Sequence, residues 1–141
     1  NKFLLKQILR DDSNSIDFYK YLLEILGNDI TKKNIEIFVI CFGPLGKSIY
    51  KNLRKIKQEV FILDDRWQEI IQQKNICNSN IYPLSYIKKL SPEKEYLFII
   101  ANPNLITENN ILIKLKNIEE IRKNILSFKI IKAYSRLIGE D

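Results

Sequence analysis

The order of elements between Ile35 and Asp65 constrains this chain more than any other feature. The apolar run IEIFVI enters the turn CFGPLGKS, a helical stretch follows, and a second apolar run, EVFIL, ends in Asp64 and Asp65. Strand, glycine turn, helix, strand and acid form the first half of a βαβ unit. In such units a helix N-terminus and bare backbone N–H groups can receive a phosphate.

The rest of the chain keeps the same alternation. NIYPL reads as a third strand, LSYIKKL as a short helix, and EYLFIIA as a further buried strand ending at Asn102-Pro103-Asn104. From Leu105 onward, Ile111, Leu115, Ile118, Ile121 and Ile125 keep helical spacing; SFKIIKAY is either a last strand or more helix. Ahead of the first strand, Phe3 to Leu9 and Ile16 to Leu26 read as two helices, the second with the apolar stripe Tyr19, Leu22, Leu23 and Leu26. The expectation is an α/β fold: a Rossmann-like open parallel sheet over residues 34–141, of about four to five strands with helices on both faces. An N-terminal helical extension over residues 1–33 precedes it.

The glycine turn admits three readings. In a dinucleotide-binding turn the glycines fall at i, i+2 and i+5, and these positions hold Cys41, Gly43 and Gly46. The second glycine lets the backbone approach a phosphate and the third lets the helix pack closely on the strand. Cysteine replaces the first only if its φ is negative. Leu45, Ile49, Leu53 and Ile56 then give the helix one apolar stripe. Asp64 follows Cys41 by 23 residues, near the spacing of an acid that binds a ribose hydroxyl, and Arg66 and Trp67 are placed for a base or a phosphate. A P-loop is the second reading, with Gly46, Lys47 and Ser48 in place but Cys41 where its first glycine belongs. Pro44 removes an N–H from a loop that would present N–H groups. In the third reading the glycines only build a turn and Asp64 caps a loop. After the fourth strand, Ala101 and Asn102 face the glycine turn across the crevice where parallel sheets hold ligands, or simply end the strand. The candidate ligand-binding residues are thus Gly43, Pro44, Leu45, Gly46, Asp64, Asp65, Arg66, Ala101 and Asn102.

Composition narrows the chemistry. The chain has no histidine, which removes Ser-His-Asp and Cys-His catalysis and nearly all zinc chemistry. None of the seven tyrosines has a lysine four residues on, so a short-chain dehydrogenase dyad is missing. Asp64 and Asp65, adjacent at a strand end, point to opposite sides and make a poor carboxylate pair. Cys41, without an activating base, reads as a buried small hydrophobe, and Cys77 as an inert thiol in a polar loop. Two cysteines make no disulfide framework. With no secretory signal and no apolar run near the roughly 18 residues of a membrane span, a cytoplasmic location and no membrane partner are expected. The net charge of +6 comes from lysines interleaved with acids, a solvated surface rather than a nucleic-acid footprint. The chain begins at Asn1 and holds no Met, as a piece of a longer product would.

The segments IFVICFGPLGKSIYKNLRKIKQEVFILDD, NIYPLSYIKKL and EYLFIIANPN, lying between Ile37 and Asn104, resemble the Rossmann-like domains of bacterial surface-sugar biosynthesis. They are most similar to the N-terminal nucleotide-sugar-binding domains of sugar O-acyltransferases. The resemblance implies that Gly43, Gly46, Asp64 and Asp65 hold phosphates and a ribose or base. It also implies a larger protein of sugar metabolism and a nucleotide-sugar or NAD(P) as ligand. A partner domain, or a homodimer through the N-terminal helices, is the accompanying expectation.

Overall fold

The computed structural model describes residues 34–55, 57, 59–72 and 80–127. The expected N-terminal helices, Ile56, Cys77 and nearly all of SFKIIKAY lie outside the described residues. Five strands form one parallel sheet in the order β3-β2-β1-β4-β5: β1 Ile35–Ile40, β2 Phe61–Leu63, β3 Ile81–Tyr82, β4 Glu95–Ile100 and β5 Arg122–Ser127. Helix α1 (Pro44–Leu53) joins β1 to β2, and the short α2 (Trp67–Ile71) leads from β2 toward β3. A 3₁₀ helix (Leu84–Lys89) lies between β3 and β4, and α3 (Leu105–Lys116) joins β4 to β5.

The central strands are apolar apart from Glu36 and Glu95 near their starts, because both of their faces are covered. Side chains alternate along a strand. Ile35, Ile37 and Val39 of β1, with Leu97 and Ile99 of β4, pack against Leu45, Ile49 and Leu53 of α1 and Ile70 of α2. Phe38 and Ile40, with Tyr96, Phe98 and Ile100, pack on the opposite face against Ile87, Ile111 and Leu115. Such two-sided burial is what turns parallel strands into continuous apolar runs instead of alternating ones. The opposite-face core is aromatic: the rings of Phe38 and Phe61 stack with centroids 5.0 Å apart, and Tyr82 and Tyr86 stack at 4.0 Å.

The chain moves outward through β2 and β3 on one side of β1 and through β4 and β5 on the other. Helices α1 and α3 therefore lie on opposite faces, and the loops leaving β1 and β4 part at their carboxyl ends. That parting is the topological switch point, where open α/β sheets form a crevice. Among the described residues no helix is long and apolar enough to cross a membrane.

One local expectation needs correction, and one further helix is found. The helical spacing of Ile111, Leu115, Ile118, Ile121 and Ile125 does not continue as helix: α3 stops at Lys116, and Ile125 lies in β5. Residues 122–127 pair in six-residue register with β4, and this long-range ladder overrides a spacing that local sequence allows for either state. The polar stretch after Asp65 also holds α2, whose Ile70 is buried with Trp67 and Ile71 packed beside it.

Candidate functional site

The crevice at the switch point has a volume of about 630 Å³ and is walled by three strand ends, the start of α1 and one face of α3. Of the residues expected from sequence, Gly43, Pro44, Leu45, Asp64, Asp65, Arg66, Ala101 and Asn102 all line it. Gly46 lies just behind this wall. A Cβ built there would sit 2.0 Å from the carbonyl oxygen of Cys41 and 3.6 Å from the Ala101 Cβ, so only glycine lets α1 approach β1 this closely. Lys47 and Ser48 are not among the lining residues, and Trp67 packs instead on the core beneath α1.

Cys41 departs from expectation. Its φ is +75°, the only positive value at a non-glycine residue among those described. The turn from β1 into α1 requires the left-handed region here, and the chain meets the requirement without the glycine that adopts it freely. Nor is the side chain wholly buried: it is half-buried and forms part of the crevice wall. Asn102 Nδ2 donates to its Sγ at 3.5 Å, linking the ends of β1 and β4. Burial pushes the thiol pKa up, against the opposing effect of the Asn102 hydrogen bond.

Gly43 is the N-cap of α1, with extended backbone and no side chain to cap the helix, and Pro44 occupies the first helical position, where no N–H is needed. The first turn of α1 carries no acid. The start of α3 is the opposite case. Asn104 Oδ1 accepts the N–H groups of Ile106 and Thr107 at 3.0 and 3.1 Å, and Glu108 stands in the first turn. Of the two longer helices that begin at this edge of the sheet, α3 is capped by the Asn104 side chain, and α1 presents its positive end without a side-chain cap.

The two acids point apart. Asp64 turns toward the glycine loop: Oδ2 accepts the Phe42 N–H at 2.8 Å, Oδ1 accepts the Arg66 N–H at 2.8 Å, and the Arg66 guanidinium lies 3.3 Å away. Burial raises its pKa, but the hydrogen bonds from Arg66 and Phe42 outweigh burial and hold the carboxyl below its ordinary range. Asp65 turns toward the 3₁₀ helix, where its Oδ1 accepts the Leu84 N–H at 3.0 Å.

The sequence reading missed the α3 wall: Thr107, Asn110, Ile111 and Lys114. They recur at three- and four-residue intervals, one helix face, but nothing local says which face of α3 meets the crevice. Among the described residues no cluster of His, Cys, Asp and Glu has metal-binding geometry. Compared with protein-family models, with curated proteins and with solved structures, the chain shows no match.

Proposed function

We propose that this domain binds a nucleotide, with its phosphates at the N-terminus of α1 and its nucleoside along the ends of β2 and β4. A nucleotide-sugar or NAD(P) is the ligand class, and the domain would serve a larger protein of sugar or polysaccharide metabolism. The single observation that carries this reading is the uncapped start of α1 facing the switch-point crevice, beside the self-capped start of α3. Unpaired N–H groups and a positive helix end favour an anion, and Arg66 and Lys114 add charge of the same sign to the lining. The Asp65 carboxylate, exposed at the crevice edge, is placed for a hydroxyl of a ribose or sugar.

A thermal-shift panel tests this: NAD(H), NADP(H), UDP-, GDP- and CMP-sugars, S-adenosylmethionine, and ATP with Mg²⁺. A ligand with a Kd of about 10 μM, at ~100-fold excess, adds roughly 2.7 kcal/mol, which raises Tm by several degrees. Failure of every nucleotide to shift Tm rejects the reading. A second reading, an interaction module with an empty crevice, draws on Leu105, Ile106 and Ile113 of α3, which are 58%, 75% and 51% exposed. Light scattering of the chain against a Leu105→Ser/Ile106→Ser variant separates the two, because only an interaction surface changes mass.

A further inference from the structure

A second recess adjoins the crevice, between the 3₁₀ helix and the end of α3. Three of the crevice's wall residues, Asp65, Leu84 and Lys114, are also walls of this recess of about 460 Å³, which Ile87, Lys88 and Ile118 help to close. Each recess alone falls within the roughly 300–1,000 Å³ of a small-molecule site. With three walls in common, the second recess is placed to receive a part of a ligand that a nucleoside phosphate in the crevice does not supply.

The chemistry of the second recess is one-sided. Lys88 and Lys114 both line it, and among the described residues no carboxylate forms an ion pair with either. Asp65, the only acid in its wall, is turned to the backbone N–H of Leu84. The helix macrodipole favours a lysine in a last turn, and Lys89 and Lys116 meet that preference equally. It does not account for two lysines, without an ion pair among the described residues, lining one recess that shares walls with the crevice. Ile87 is buried and Ile118 half-buried, so the floor between the lysines is apolar and suits the face of a ring.

Resting on the nucleotide reading above, we propose that this recess receives the far end of the ligand, and that this end is an anionic ring. The ligand class is a nucleoside diphosphate ester of an acidic sugar. Lys114, standing in both recesses, lies between the diphosphate and the acidic group, and Lys88 meets the acidic group alone.

Isothermal titration of the full chain at low ionic strength tests the charge. The probes are UDP, UDP-glucose and UDP-glucuronate, with GDP, GDP-mannose and GDP-mannuronate in parallel. Each pair of esters differs only by a hydroxymethyl against a carboxylate. The acidic ester is expected to bind about tenfold tighter than its neutral partner, and the preference to fall below about threefold in Lys88→Ala and in Lys114→Ala. Equal binding of the two esters, or a preference that survives both substitutions, overturns the proposal and leaves the nucleotide reading standing. Absence of binding by all of these compounds overturns the proposal, and the nucleotide reading falls with it only when NAD(H), NADP(H) and the CMP-sugars also leave Tm unshifted.

Discussion

The carboxylate of Asp64 clamps the glycine turn to the end of β2: its Oδ2 accepts the backbone N–H of Phe42 at 2.8 Å, across 22 residues of chain. The Asp64 side chain is only 8% exposed, and Phe42 is buried. The acid whose spacing suggests a ribose contact is therefore engaged by its own fold, and a ligand hydroxyl would share lone pairs already in use.

Removing this clamp should cost stability in a pH-dependent way. Asp64→Ala leaves the Phe42 N–H without its acceptor, a loss of about 1–3 kcal/mol. Because the folded-state pKa lies below the unfolded value, the contribution is complete above the unfolded pKa of about 3.9 and fades as pH falls through the folded value. Urea unfolding of wild type and variant should give a constant difference from about pH 7 to pH 5 that narrows below about pH 4. A difference that stays unchanged down to about pH 3 counts against the clamp.

The two turn glycines should respond differently to alanine. At Gly46 the new methyl would strike the Cys41 carbonyl, and because that atom is backbone, relief requires α1 to move off the sheet. A loss of at least about 2 kcal/mol is expected. At Gly43 no atom lies within 4 Å of a built Cβ and φ is −79°, so Gly43→Ala should stay within about 1 kcal/mol of wild type. Denaturant midpoints that rank the two the other way would refute this account of the turn.

Gly43→Asp sets stability against binding. An aspartate at the N-cap accepts first-turn N–H groups and complements the helix dipole, worth a few tenths to about 1 kcal/mol. The same carboxylate occupies the donors assigned to phosphate and repels it. Melting temperature should hold or rise while affinity for the nucleotide found in the panel falls about tenfold or more. Undiminished affinity would mean that the phosphates lie elsewhere.

Cys41→Gly should be neutral or stabilising, an unusual result for a glycine introduced at a strand end. Relief of a left-handed non-glycine residue, about 1–2 kcal/mol, offsets the added chain entropy of about 0.5–1 kcal/mol. Calorimetry that shows a loss above about 1 kcal/mol would assign the Cys41–Asn102 contact a larger structural role. In the wild type, the raised thiol pKa should make Cys41 slower to alkylate at neutral pH than an unperturbed cysteine, as followed by peptide mass spectrometry.

Much of this architecture was legible in one dimension. The runs IEIFVI and EYLFII announce central parallel strands because burial on both faces leaves no alternation to see. Gly43, Gly46 and Asp64 announce a strand-turn-helix-strand unit because few residue types satisfy a close helix approach and an acid at the next strand end. These are local requirements, and sequence by itself determines them. Tertiary structure decided the rest. The end of α3 at Lys116 depends on the ladder between β4 and β5, and the crevice face of α3, with Lys114, depends on how that helix settles on Phe98 and Ile100. The positive φ of Cys41 follows from the path that carries β1 into a helix already held against it. The Asn102 partner of Cys41 lies 61 residues away. Each of these results comes from groups distant in the chain meeting in space, and no local pattern of side chains encodes such a meeting.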